Sequence, residues 1–170
     1  MYMRKIFLAL SLFFSVAVSA QTDKIYMHNG QVVEGTVVRI AEFTVVYKDA
    51  NEDAEQTISK YAVSKVVYGK SGREEKVSDK IIVVSKDDWE NVVVLEDKSE
   101  VAGLTKVDEV KGHTSGWISY RTGSGKDKKS EERLKQAAAE LGCPFVLIIS
   151  EKDPSLVHAE SIKDGIAYKY

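Results

Sequence analysis

The feature that most constrains the fold is the segment 128–150, which predicts an α-helix running directly into a buried strand. Gly142 stands where many helices end in a left-handed residue, and Pro144 prevents the helix from continuing. Residues 145–149 are apolar without alternation, as in a strand that is covered on both faces. This unit therefore predicts an α/β core in the C-terminal half. The helix supplies an apolar face at helical spacing, formed by Leu134, Ala137, Ala138 and Leu141.

The first twenty residues are typical of a secretory signal peptide. Arg4 and Lys5 precede an apolar run over residues 6–18, and small residues lead up to Ala20. The run is short for a membrane span, so we expect cleavage after Ala20 and no membrane anchor in the mature chain. We therefore expect a periplasmic or secreted protein, with an uncleaved N-terminal anchor as the alternative.

Charge argues against a nucleic-acid partner. Without residues 1–20 the chain carries 22 Lys and Arg against 26 Asp and Glu, because only Arg4 and Lys5 are lost from the 24 basic residues. Contacts to phosphate need a basic surface, so we expect no binding to nucleic acid. Cys143 is the single cysteine and predicts a small buried side chain, with a reactive thiol as the alternative.

Residues 24–69 have the pattern of a small antiparallel β-barrel. Asn29-Gly30 is a strong signal for a two-residue hairpin, and Gly35 inside the second strand indicates a bulge or bend. The polar stretch 69–77 predicts a linker. We predict strands at 24–28, 32–40, 43–48, 56–59 and 65–68, with a helical turn at 60–64.

Three short motifs in this half carry a resemblance to a known family. They are Ile25-Tyr-Met-His-Asn-Gly30, Glu34-Gly35-Thr36-Val37 and Val66-Val67-Tyr68. The half resembles Sm-like and SH3-like small barrels, in particular a module of exported proteins from Bacteroidetes-type bacteria. The resemblance implies a five-stranded antiparallel barrel and carries no activity with it.

The second half predicts the element order β-β-α-β-β. We expect a strand at 92–96, either a pair of short strands or one bent strand at 100–112, a helix at 128–141 and a strand at 145–150. One or two closing strands at 156–159 and 166–170 would be separated by a turn at 163–165. The predicted fold class is therefore α+β: a small five-stranded antiparallel β-barrel at 21–85 followed by a compact β-β-α-β-β domain at 86–170.

The second half also resembles a known type of envelope domain. The matching features are Val107-x-x-Val110-x-Gly112, Ala137-Ala138-x-x-Leu141-Gly142, the apolar strand 145–149 and Gly165-Ile-Ala-Tyr168. These resemble the small α/β domain of the Rcs stress-sensor lipoprotein and of YbjQ-like envelope proteins. The resemblance implies the fold alone, because the Rcs sensor is lipid-anchored and disulfide-bonded whereas Cys143 has no second cysteine.

Two polar motifs invite a ligand interpretation. Asp49-x-Asn51-x-Asp53-x-Glu55 has the alternating oxygens of a calcium loop, but Ala54 and Lys60 occupy positions where that loop needs glycine and glutamate. We expect an acidic hairpin loop there, with weak calcium binding by Asp49, Asn51 and Asp53 as the alternative. Residues 123–126 read Gly-Ser-Gly-Lys but lack the spacing of a phosphate-binding loop, so a flexible loop is predicted and no cofactor is expected.

The residues that most favour recognition are Trp117, Tyr120 and Arg121. They lie in a Gly- and Ser-rich run and belong to types enriched at binding hot spots. The alternative is that Trp117 covers the core. The three histidines, His28, His113 and His158, lack metal-ligand spacing and suit surface or edge positions.

No recognisable catalytic set is present in the sequence. We therefore expect a non-enzymatic binding module of the cell envelope, with an envelope protein or a glycan as its partner. Two alternatives remain open: an enzyme whose site is assembled only in three dimensions, and a component that self-assembles through its sheet edges. No oligomeric state is predicted.

Overall fold

The computed structural model contains two β-sheets and one α-helix, and it describes residues 22–50, 52–114, 123–152 and 161–170. The predicted signal peptide and the predicted strand at 156–159 lie outside these residues. Short 3-10 helices cover Lys60–Ala62, Lys86–Asn91 and Lys98–Val101. The strands are β1 (Asp23–Met27), β2 (Val32–Ile40), β3 (Thr44–Asp49), β4 (Glu55–Ser59), β5 (Val63–Val67), β6 (Glu74–Lys76), β7 (Val93–Leu95), β8 (Thr105–Thr114), β9 (Phe145–Lys152) and β10 (Ser161–Lys169), and the helix is α1 (Gly123–Glu140).

The first sheet has the strand order β4-β3-β2-β1-β5-β6, and all its neighbours are antiparallel. The five predicted strands are confirmed to within about two residues. The linker predicted at 69–77 is wrong in part, because it contains β6, which pairs with β5. The core on the inner face is formed by Ile25, Met27, Val45, Tyr47, Ile58, Ala62, Val63 and Val66.

The predicted closed barrel is not found among the described strands, which form an open sheet. Closure would require β4 to pair with β5. Instead the backbone N–H of Ser59, at the end of β4, donates to the Ala102 carbonyl at 2.8 Å. Gly103 follows it and lies against Met27 and Ile58. A segment from the second half therefore covers the place where the barrel would close.

Local turn chemistry in the first sheet follows the sequence. Gly30 has φ +91°, and the N–H of Gln31 donates to the Asn29 side chain at 3.0 Å, so the predicted hairpin is present. Its loop has three residues, 28–30, and not the predicted two, because Tyr26 pairs with Val32 and the N–H of Met27 donates to the Gln31 carbonyl at 2.9 Å. Gly35 does not mark the bulge, since the register of β2 shifts between Val37 and Arg39. Glycine is needed at Gly35 because a Cβ there would collide with the carbonyl oxygen of Lys48.

The second sheet has the order β7-β9-β10-β8, and β7 runs parallel to β9. The strand β9 is buried over most of the predicted run 145–149, because Phe145 and Val146 are fully buried and Leu147 is 3% exposed, but Ile149 at its end is 50% exposed. One set of β9 side chains packs against α1, and the alternate set faces the first sheet. This two-sided cover explains the continuous apolar run.

The helix differs from its prediction at both ends. It begins at Gly123, so residues 123–126 form its first turn and not a flexible loop. It ends at Glu140, and Leu141 lies in the following turn with 42% of its surface exposed. Gly142 has φ +64° and ends the helix as predicted. The buried face of α1 is formed by Ser130, Leu134, Ala138 and Ala139.

The turn predicted at 163–165 is wrong, because these residues lie inside β10 and pair with both β8 and β9. Lys163 is 5% exposed, and its Nζ atom lies 2.9 Å from Glu151 on β9 and 3.9 Å from Glu131 on α1. The Lys-Asp-Gly composition is typical of a turn, but distant carboxylates neutralise the lysine inside a strand.

The two sheets meet at a contact region that we call the joint, formed by His28, Tyr61, Ile81, Phe145 and Tyr170. The Tyr170 ring packs edge-on against the rings of His28 (5.0 Å) and Phe145 (5.3 Å). Its hydroxyl accepts a hydrogen bond of 2.8 Å from the N–H of Ile81. The rings of Tyr61 and Phe145 lie 5.5 Å apart. Side chains from both halves of the chain are therefore packed together here.

Candidate functional site

The outward side of β1, β2, β5 and β6 carries the residues that best form a binding surface. Strand register aligns them in two rows, because side chains on one face of a sheet alternate along each strand. We call this surface the outer face. One row is Val32, Tyr26, Lys65 and Lys76, and the other is Glu34, Lys24, Val67 and Glu74.

Ion pairs tie the charged residues of the outer face to one another. The Nζ atom of Lys65 lies 2.8 Å from the Glu74 carboxylate and 5.2 Å from the centre of the Tyr26 ring. Lys24 lies 3.6 Å from Glu34. The hydrogen bond to Glu74 raises the pKa of Lys65. These exposed pairs add little stability, but they fix the orientation of charges around Tyr26.

A cavity of about 510 Å³, which we call the tyrosine cavity, opens on this surface. Tyr68 forms one side, its hydroxyl donating to Glu75 at 2.9 Å while the Arg73 guanidinium lies 4.6 Å from the ring centre. Burial, followed by the hydrogen bond to Glu75, raises the pKa of Tyr68, so this phenol stays neutral. The cavity is lined by Thr22, Lys24, Tyr26, Glu34, Val67, Tyr68, Gly69 and Gly72.

The wall of the tyrosine cavity is held by one carboxylate. Asp23 accepts hydrogen bonds from the N–H of Val37 at 2.8 Å and of Gly69 at 2.9 Å. It therefore connects β2 to the turn that follows β5. This double contact fixes the turn that carries Tyr68 and Gly69 against the start of β1.

A second cavity of about 520 Å³, which we call the joint cavity, lies on the other side of Lys65. It is more charged than the tyrosine cavity and borders the joint through His28. Since Lys65 lines this cavity and also approaches the Tyr26 ring, the two cavities adjoin on one surface. The joint cavity is lined by His28, Ser64, Lys65, Glu74, Lys76, Ser78, Asp79 and Lys80.

The joint cavity contains a His–Ser contact, whose hydrogen bonds disfavour nucleophilic chemistry. His28 Nε2 lies 2.9 Å from Ser78 Oγ, and Ser78 Oγ donates to the Val63 carbonyl at 2.8 Å. A hydroxyl has one proton, so Nε2 must act as the donor to Ser78. A histidine that donates to a serine does not remove its proton. The pair therefore connects β5 to the segment after β6.

Burial and the charge of Lys80 lower the pKa of His28, and Asp79 opposes this effect. The Lys80 Nζ atom donates to the His28 carbonyl at 3.2 Å and lies 5.4 Å from the Tyr170 ring centre. His28 is therefore neutral at pH 7. It is half-buried at the joint, whereas His113 is exposed at a sheet edge and His158 lies outside the described residues.

The acidic motif at 49–55 lies in the hairpin between β3 and β4. Asp53 and Glu55 are exposed, Asp49 is half-buried at the end of β3, and Asn51 lies outside the described residues. Within the described part of the chain, no three His, Cys, Asp or Glu side chains are grouped so that they could hold a metal ion.

Cys143 is fully buried, as predicted from its place between helix and strand. Burial raises the pKa of its thiol, with a smaller opposing effect of Lys169. The thiol is therefore protonated and shielded, which disfavours reactivity.

The recognition residues predicted from sequence, Trp117, Tyr120 and Arg121, lie outside the described residues, so the structure places none of them. Tyr26 and Lys65 were missed as a site. They are far apart in sequence and meet only through the pairing of β1 with β5. The sequence did contain one signal for this site: Tyr26 lies between Ile25 and Met27, which the alternation of a short strand places in the core, so its ring must face outward.

Comparison with known proteins adds no further identification: no family model, no curated protein and no solved structure matches the chain. Among the described residues, no helix combines the length and apolar character that a membrane span requires. The functional argument therefore rests on the geometry of the outer face.

Proposed function

We propose that the chain is a non-enzymatic binding module of the cell envelope, and that its outer face binds a protein partner. The observation that carries the proposal is the meeting of two cavities around Tyr26 and Lys65 on one surface.

The composition of this surface favours a protein partner. Its two central strands carry Tyr26 and Val67 beside Lys24 and Lys65, and the carboxylates that pair with these lysines lie on the flanking strands β2 and β6. Aromatic residues such as tyrosine are enriched at protein–protein interfaces. Tyrosine is also among the residue types that most often dominate binding energy, and Tyr26 lies on a central strand of this surface.

The location follows from the N-terminal twenty residues. We infer that they are a signal peptide and that cleavage after Ala20 releases the chain into the periplasm or the medium. N-terminal sequencing of the exported protein tests this point, with Gln21 expected as the first residue. Recovery of the chain with residues 1–20 attached would contradict it.

The resemblance to the small barrels is also kept as a proposal. Support comes from the strand order β4-β3-β2-β1-β5 and from the 3-10 helix that precedes β5. The sixth strand and the open edge are departures from that pattern.

The function is tested by capture of a partner from envelope extract with immobilised chain 21–170. We expect a discrete protein that is retained by the wild type and lost with Tyr26→Ser. The matched control is Phe43→Ser, which removes a 43% exposed aromatic ring from the β2–β3 turn, away from the outer face. Equal capture by wild type and Tyr26→Ser would overturn the proposed surface.

Two further arms distinguish the alternatives. Protease treatment of the extract should abolish capture, and survival of capture would identify a glycan partner. Trp117→Ala tests the segment predicted from sequence: loss of capture with Trp117→Ala and retention with Tyr26→Ser would move the binding surface to residues 115–125.

A further inference from the structure

The second sheet ends in an edge strand, β8, which is ten residues long and, among the described strands, pairs with β10 alone. An edge strand presents backbone N–H and C=O groups that can pair with another strand. Proteins usually protect such an edge with bulges, with charges or by making it short.

Both ends of the β8 edge are closed. The register against β10 shifts beside Val107, where β8 has one extra residue opposite Ala167 and Tyr168. At the other end, the Arg133 guanidinium of α1 donates to the His113 carbonyl. Between these contacts lie residues 108–112, which we call the window. Its central residue is Val110, and the N–H of Glu109 within it is bonded to the Asp108 carboxylate.

The charges of residues 108–112 are complementary to those of the same segment in a second, antiparallel copy of the chain. In an antiparallel pair, residues directly opposite one another lie on the same face of the sheet. If two copies pair about Val110, each Glu109 stands opposite Lys111 of the other copy, on the exposed side. A strand edge that carried only lysines would repel the same edge of a second copy. Here the two copies would form two pairs of opposite charge, each between Glu109 of one copy and Lys111 of the other.

The remaining positions of the window fit the same register. Asp108 stands opposite Gly112, which has no side chain to oppose the carboxylate. That carboxylate accepts a hydrogen bond from the N–H of Glu109 at 2.8 Å and so stays close to the backbone. Val110 and Gly112 are buried under the chain's own α1, so pairing leaves the core of each copy undisturbed.

We propose that this edge is a self-association surface: two copies pair antiparallel through residues 108–112, with the two-fold axis at Val110. The pairing joins the two four-stranded sheets into one continuous sheet. It uses the edge of the second sheet and is independent of the outer face of the first.

The test is sedimentation of the chain 21–170, which contains every described residue, over a range of concentrations from micromolar to millimolar. We expect a reversible monomer–dimer equilibrium. Glu109→Lys and Lys111→Glu should each weaken the dimer by about tenfold, since each turns two attractive pairs into repulsive ones. The double variant, with both charges exchanged, should restore the dimer.

Two controls separate the edge from other effects. Lys106→Ala removes the ion pair of Lys106 with Glu109 (3.6 Å) without creating a like-charge pair, and it should leave the dimer unchanged. Urea denaturation of each variant checks that β8 stays folded, because Lys111 lies opposite Asp164 on β10.

Three results would overturn the proposal. They are a monomer at every concentration, a dimer that is insensitive to both single exchanges, and a dimer that the double exchange fails to restore. Tyr26→Ser should dimerise as the wild type does, so failure of the partner-binding proposal would show separately in the capture experiment.

Discussion

The two sheets differ in what covers them, and this difference supports the proposal that the outer face is the binding surface. The second sheet has α1 on one face and side chains of the first half on the other, so Phe145 and Val146 on β9 are fully buried. Within the described residues, the first sheet packs its inner face against the core, and its outer face carries Tyr26 among ion-paired lysines. The second sheet therefore acts as a packed support, and the first sheet presents an accessible outer face.

The largest expected effect comes from Phe145, which belongs to the support. Phe145→Ala should lower the free energy of unfolding by about 4 kcal/mol, because a fully buried ring leaves a cavity. Since the ring contacts Tyr61 from the first half, hydrogen exchange should accelerate in both sheets. Urea denaturation with hydrogen-exchange mass spectrometry measures both quantities. Acceleration confined to the second sheet would show that the joint does not couple the two.

A smaller effect is expected where α1 lies on β8. A Cβ at Gly112 would collide with the backbone oxygen of Ser130, which cannot move without displacing the helix. Gly112→Ala should therefore cost about 2–3 kcal/mol of stability. The control is Gly72→Ala in the turn before β6, where φ is +67° but the space is open, and about 1 kcal/mol is expected. Equal costs measured by urea denaturation would contradict this close packing.

Tyr170 gives a milder test of the joint. Tyr170→Phe keeps the ring contacts with His28 and Phe145 but removes the oxygen that accepts from the N–H of Ile81. We expect a loss of about 1 kcal/mol in the free energy of unfolding, the usual net value of such a hydrogen bond. A stability equal to that of the wild type would mean that water replaces the hydroxyl.

The smallest effect is the pH dependence contributed by His28. Its pKa in the folded chain is lowered, mainly by burial and then by Lys80, so the unfolded chain binds the proton more readily. Stability should therefore fall as pH decreases through the unfolded value of about 6.5, and this contribution should be constant above it.

The measurement compares urea denaturation at pH 7.5 and pH 5.0 for the wild type and for His28→Gln. The wild type should lose more stability than the variant over this interval. Asp88 and Asp97 do not interfere, because hydrogen bonds from backbone and serine groups lower their pKa below 3.8. An identical loss in both proteins would show that His28 does not titrate differently in the folded chain.

Local signals in the sequence were sufficient for several elements. The hairpin at Asn29-Gly30, the end of α1 at Gly142 and the buried strand after Pro144 depend on neighbouring residues. The helix end is confirmed, the hairpin has a loop of three residues and not two, and the strand is buried over residues 145–147 but not at Ile149.

The elements that the sequence did not reveal depend on distant partners. β6 has only charged residues and exists because β5 supplies its hydrogen bonds. Lys163 remains in a strand because Glu151 and Glu131 neutralise it. The described strands of the first half form an open sheet, and the end of β4 bonds to Ala102, from the second half.

The candidate site belongs to this second group. Tyr26, Lys65 and Glu74 form no motif in the chain, and only strand register brings them together. The residues favoured from sequence, Trp117, Tyr120 and Arg121, stay a prediction to be compared with the outer face.

The most direct test of the binding surface is site-specific photo-crosslinking in living cells, with a photoreactive phenylalanine analogue replacing Tyr26 in one strain and Phe43 in another. Both positions hold aromatic rings in the first half of the chain, but only Tyr26 lies on the outer face. We predict a discrete cross-linked product from position 26 and none from position 43. A product from position 43 with none from position 26 would contradict the assignment of the outer face as the binding surface.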